Sequence, residues 1–126
     1  MGLGTEVERM NILIVDDEPM VARILSRLLE DHEVTTITDA EKALDEICEN
    51  DFELIFCDLS MPVLSGDTLY RLAEERAPGS ATKFVFMTGG VFTVEGQQFL
   101  KEIPNQVLHK PFETAKLDAI INSAKA

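Results

Sequence analysis

Four apolar runs in this 126-residue chain each lead into a side chain that can do chemistry. Asn11-Ile12-Leu13-Ile14-Val15 is followed by Asp16-Asp17-Glu18, and Leu54-Ile55-Phe56-Cys57 by Asp58. Lys83-Phe84-Val85-Phe86-Met87 is followed by Thr88, and Gln106-Val107-Leu108-His109 by Lys110. Three carboxylates brought close together repel one another. They stay ionised only if a cation sits between them, or one of them takes up a proton. Magnesium suits such a set, because it takes one or two carboxylates and keeps waters and phosphate oxygens for its remaining positions. A carboxylate can also act as a nucleophile toward phosphorus and form an aspartyl phosphate. The transferred group then needs its oxygens neutralised and oriented, which an ammonium and a hydroxyl beside the metal would do. Asp16, Asp17, Asp58, Thr88 and Lys110 together therefore fit aspartyl phosphorylation with magnesium.

These residues meet only if the fold brings the run ends to one place. Continuous apolar runs of this length read as strands buried on both faces, as in a parallel sheet covered by helices. Helical patterns lie between them. Pro19 opens a helix in which Val21, Ile24, Leu25 and Leu28 recur at helical spacing. Glu33 to Ile37 is a short strand. Thr38-Asp39-Ala40-Glu41 reads as a capping box, with Ala40, Ala43, Leu44 and Ile47 on one face of the helix after it. A loop from Leu59 to Gly66 leads to a helix facing inward through Leu69, Leu72 and Ala73 and stopped by Pro78-Gly79. A weaker helix covers 93–102, and a last one follows Phe112 with Leu117, Ile120 and Ile121 apolar. Five strands alternating with five helices imply right-handed crossovers and one parallel sheet, an α/β fold. In such a sheet all the strand ends that carry Asp16, Asp58, Thr88 and Lys110 lie on one edge, where open α/β folds place their ligands.

Composition narrows the function. The chain has 23 Asp and Glu against 11 Lys and Arg, a formal net charge of −12. Such a surface repels phosphate backbones and argues against direct nucleic-acid binding. Two cysteines, Cys48 and Cys57, are too few for a disulfide framework and lack metal-ligand spacing. A reducing cytoplasm fits them. No stretch approaches the roughly 18 apolar residues of a membrane span, and the N-terminus lacks a secretory pattern. Residues 1–10 read as linker, with one domain over 11–126.

Asp16-Asp17 after an apolar strand, Asp58-Leu59-Ser60-Met61-Pro62 followed by Gly66, Thr88-Gly89, and Lys110-Pro111-Phe112 together resemble the receiver domain of bacterial two-component response regulators. The likeness runs from about residue 10 to 124, and its strength lies in the order and separation of four motifs, each weak alone. It implies a flavodoxin-like (βα)5 three-layer sandwich, with a five-stranded parallel sheet in order 2-1-3-4-5 and helices on both faces. It implies Asp58 as phosphoacceptor. Magnesium would be held by Asp17 and Asp58 with the backbone carbonyl of Ser60, Asp16 acting partly through water. Thr88 would contact the phosphoryl group, Lys110 would pair with it, and the Lys110-Pro111 bond would be cis. The donor would be a histidine kinase or histidine phosphotransfer protein. The Phe86-to-Gly90 run and the Pro104-to-Phe112 segment look most like receivers appended to hybrid histidine kinases. Homodimerisation is left open.

Two features depart from that pattern or qualify it. Family members often carry Tyr or Phe three residues before the lysine, and Val107 stands there. The output change is then expected to run mainly through the helix at 93–102 and the loop before it. Ser60 and Gly90 are small where larger side chains could shield a phosphoryl group, which predicts a phosphorylated state that is not unusually long-lived. Other readings are weaker. A haloacid dehalogenase-type phosphatase needs a second acid two residues past its nucleophile, where this chain has Ser60. A flavin module of flavodoxin type needs a first loop that welcomes phosphate, and Asp16-Asp17-Glu18 would repel one. A degenerate receiver used only for docking would not need five intact site residues.

Overall fold

Parallel pairing of five short strands sets the architecture of the computed structural model, which describes residues 9–89 and 93–125. The strands are β1 (Asn11–Val15), β2 (Glu33–Ile37), β3 (Leu54–Asp58), β4 (Phe84–Thr88) and β5 (Val107–His109). They alternate with α1 (Pro19–Leu28), α2 (Ala40–Glu49), α3 (Gly66–Arg76), α4 (Val94–Glu102) and α5 (Thr114–Lys125). The sheet order is β2-β1-β3-β4-β5, with every pair parallel. This is the flavodoxin-like order expected from the sequence.

The apolar runs become strands because both faces of the central sheet are covered. Leu13, Val15, Ile55, Cys57, Phe84 and Phe86 pack on one side against Ala43, Leu44 and Ile47 of α2, Leu69 and Ala73 of α3, and Phe99 of α4. Ile12, Ile14, Phe56, Val85, Met87 and Leu108 pack on the other against Ala22 and Leu25 of α1 and Leu117, Ile120 and Ile121 of α5. Alternate residues of each strand thus serve alternate layers, as the period of two requires. Each fully buried aliphatic or aromatic side chain contributes about 1.5–3 kcal/mol, so the two layers anchor the strand ends firmly.

Several local expectations shift. The buried arc of α1 is centred on Ala22 and Leu25, while Ile24 and Leu28 are exposed. Successive residues turn about 100°, so Ile24 lies about 100° from the centre at Leu25 and loses contact with the sheet. The cap of α2 is Asp39 rather than Thr38: its Oδ1 accepts from the N–H groups of Glu41 (2.9 Å) and Lys42 (3.3 Å). Lys83 belongs to a single 3₁₀ turn, Ser80–Lys83, that precedes β4 instead of beginning it. Met10, placed in the linker from the sequence, packs in the α1–α5 layer, and its N–H donates to His32 Nδ1 at 3.1 Å. Gly90, one of the two small positions singled out above, lies outside the described residues.

Candidate functional site

The register of the sheet brings the reactive residues together one strand at a time. Val15 of β1 pairs with Cys57 of β3, so Asp16 and Asp58 follow as the next residues on adjacent strands. Asp58 pairs with Met87 of β4, and Thr88 with His109 of β5. Thr88 is therefore one step beyond the partner of Asp58, and Lys110 one step beyond the partner of Thr88. The five residues form a row across four neighbouring strand ends, at the carboxyl edge.

The side chains converge. One carboxylate oxygen from each of Asp16, Asp17 and Asp58 can be chosen so that all lie within 4.8 Å of one another. Asp16 is fully buried; its Oδ1 accepts from the Glu18 N–H at 2.9 Å and its Oδ2 lies 2.9 Å from Lys110 Nζ. Lys110 Nζ is also 3.6 Å from Asp58 Oδ1 and 3.7 Å from Glu18 Oε1. Asp58 Oδ1 accepts from the Ser60 N–H at 3.3 Å, so the loop after β3 folds back onto the carboxylate. Asp17 is exposed and Thr88 is buried. The Lys110 N–H donates to the Thr88 carbonyl at 2.8 Å, and the Lys110-Pro111 bond is cis, as the resemblance implied.

The charge balance is uneven. Burial and the adjacent Asp16 carboxylate push the Asp58 carboxyl up to about 7, against the pull of Lys110 and the Ser60 N–H. Burial works against the Lys110 ammonium, but Asp16, Asp58 and Glu18 outweigh it and hold its pKa above the usual lysine value. One ammonium cannot neutralise three carboxylates, and Asp58 bears the deficit. A cation beside Asp17 and Asp58 would relieve it. The donor set is all oxygen, and it fits a hard divalent ion rather than a softer one. Cys57, next in the strand, is held as a thiol by burial and by the same carboxylates.

The family model for the response regulator receiver domain matches residues 12–122. The chain belongs to that family. The receiver domain of the sensor histidine kinase PA1611 from Pseudomonas aeruginosa superimposes with a TM-score of 0.82 at 23% identity, over 94% of this chain and all (100%) of that one. That receiver holds a magnesium ion coordinated in its active-site cleft. A CheY-like receiver from Methanospirillum hungatei gives a TM-score of 0.80 at 26% identity, over 94% and 95% of the two chains. Among curated proteins, the sensor histidine kinase TmoS of Ectopseudomonas mendocina is 30% identical over 97% of this chain and 13% of its own length. The sensory/regulatory protein RpfC of Xanthomonas campestris pv. campestris is 32% identical over 88% of this chain and 16% of its own. The chain thus corresponds to a small part of either relative. It is a receiver domain of two-component signalling, and the phosphatase alternative is not favoured.

Two residues gained importance from the structure. Glu18 was visible only as part of an acidic run, yet it shares Lys110 with Asp16. Its position directly after the acid pair was the available signal. Val107 pairs with Phe86 in the sheet, and Phe86 stacks on Phe84 of its own strand at 5.6 Å and meets Phe99 of α4 at 5.2 Å and Tyr70 of α3 at 5.6 Å between centroids. The rings of this cluster therefore come from β4, α3 and α4 rather than from β5.

Proposed function

We propose that this receiver domain accepts a phosphoryl group on Asp58 from a phosphohistidine of a histidine kinase or phosphotransfer protein, with magnesium as cofactor, in the cytoplasm. The observation that carries the reading is the convergence of the Asp16, Asp17 and Asp58 carboxylates beside a single ammonium. An Asp58 oxygen attacks phosphorus; the new O–P bond forms as the N–P bond breaks, and its electron pair returns to the donor imidazole. Asp17, Asp58 and the Ser60 backbone carbonyl would hold the magnesium, with Asp16 acting partly through water. Magnesium would neutralise the oxygens of the transferring group. Lys110 pairs with the phosphoryl group once it is in place, and the Thr88 hydroxyl donates to one of its oxygens. The domain catalyses its own modification and its slow reversal, so it acts as a substrate with an active site rather than as a turnover enzyme. The domain expected over 11–126, with Met10 packed into its core, is the unit that does this, and the surface it presents afterward is read by a partner or linked domain.

The test is direct. Incubation with magnesium and acetyl phosphate, followed by intact mass measurement, should show one added phosphoryl group on the parent and none on Asp58→Asn. An unmodified parent, or a mutant modified to the same extent, would overturn the reading.

A further inference from the structure

Gly66 is the first residue of α3, eight residues past Asp58, and it lies against the backbone of the acceptor. A Cβ at this position would stand 2.6 Å from the Asp58 carbonyl oxygen, 2.9 Å from Leu59 Cα and 3.3 Å from the Asp58 carbonyl carbon. All three are backbone atoms, so no rotamer change can make room. The strand side of the contact is fixed: Asp58 pairs with Met87, and the Leu59 N–H donates to the Met87 carbonyl at 3.0 Å. The helix side is tied as well, because the Gly66 N–H donates to the Leu59 carbonyl at 3.0 Å. Ser60 directly follows Leu59, which carries both of these hydrogen bonds, and it opens the loop to α3. Its N–H donates to Asp58 Oδ1 at 3.3 Å.

We infer that Gly66 is a positioning residue for the acceptor loop: its missing side chain lets α3 rest on the Asp58–Leu59 backbone and so sets the place of the Ser60 carbonyl. This rests on the reading of the acidic cluster as a magnesium site. Helix propensity alone points the other way. Alanine favours a helix more than glycine does, so an unobstructed Gly66→Ala would not be expected to disturb the protein. With the contact, α3 or the 59–65 loop must move by several tenths of an ångström, and the carbonyl moves with it. Gly89, at the neighbouring strand end, is the internal contrast, since a Cβ there meets nothing within 4 Å.

The experiment titrates the parent, Gly66→Ala and Leu69→Ala with magnesium chloride by calorimetry, with thermal unfolding of each in parallel. Leu69 is a fully buried residue of the same helix, and its truncation leaves the Gly66 contact with the Asp58 backbone in place. Gly66→Ala is expected to bind magnesium about tenfold more weakly or worse, the usual scale for residues that orient a ligand. Leu69→Ala is expected to lose thermal stability and keep the parent affinity. Parent-like binding by Gly66→Ala would overturn the inference, as would an equal loss in Leu69→Ala. Should Gly66→Ala fail to fold, amide resonances of the parent decide. The Leu59, Ser60 and Gly66 amides are expected to shift with one magnesium midpoint, and silence at Gly66 would overturn the inference. A parent that binds no magnesium would instead sink the functional reading itself.

Discussion

Lys110 Nζ lies 2.9 Å from Asp16 Oδ2, so the ammonium is seated on a carboxylate with no solvent exposure of its own, beside Asp58 rather than on it. That seat keeps the ammonium at the site before any phosphoryl group arrives. Removing it leaves Asp16 buried and unpaired. Breaking a buried pair costs about 3 kcal/mol or more, a large share of the total for a domain of this size. Lys110→Met is therefore expected to shift the urea midpoint strongly downward near neutral pH. Saturating magnesium should restore part of the loss. An unchanged midpoint would show that the pair contributes little.

Asp58 carries a predictable pH signature. Its folded pKa of about 7 lies above the ordinary carboxylate value of 3.8. Between those values the folded state binds a proton that the unfolded state has released, so this group's contribution to stability falls as pH rises through the window and is flat above it. Asp58→Asn removes the titration. Without magnesium, the variant is expected to be more stable than the parent at pH 8, with a smaller gain at pH 5. Thermal unfolding across pH 5–8 checks both the sign and the window.

On the proposed reading the same titration would govern metal binding, because magnesium would compete with the proton on Asp58. With a pKa of about 7, ionisation rises about tenfold between pH 6 and 8. Magnesium affinity is expected to rise by a similar factor over that range, measured by calorimetry in matched buffers. A pH-independent affinity would mean that Asp58 stays ionised throughout.

The position of the aromatic rings predicts where the signal leaves the site. Phe86 is two residues before Thr88 on β4, and it packs edge-on against Phe99 of α4. The Arg71 guanidinium of α3 lies over the Phe99 ring, 5.3 Å from its centroid. Phosphorylation is expected to change hydrogen exchange in α4 more than in β5. Phe99→Leu, costing about 1 kcal/mol, should blunt the change in α4 while acetyl phosphate still modifies Asp58. An exchange response confined to β5 would place the relay elsewhere.

Ser60 is exposed two residues past Asp58, so on the proposed reading water would reach an aspartyl phosphate from that side. The modified protein is expected to lose its phosphoryl group well within hours in magnesium, followed by intact mass. Persistence for many hours would contradict open access.

The sequence determined the sheet and the chemistry of its edge. Leu54-Ile55-Phe56-Cys57 is too apolar to face water on either side, so β3 had to be central and Asp58 had to end it. The same logic placed Asp16 after β1 and Lys110 after β5. What sequence pattern could not resolve was orientation around an axis and distance across a gap. Ile24 and Leu28 look like core from their spacing, but only the seating of α1 on the sheet chose Ala22 and Leu25 instead. Met10 looks like linker until its N–H meets His32. The partition of Lys110 among Asp16, Asp58 and Glu18, and the contact of Gly66 with the Asp58 carbonyl, are facts about separations of a few ångströms between residues far apart or loop-connected in the chain. Periodicity reports which face a residue prefers. Packing of the two layers decides how near the strand ends come, and therefore which carboxylate is left short of charge.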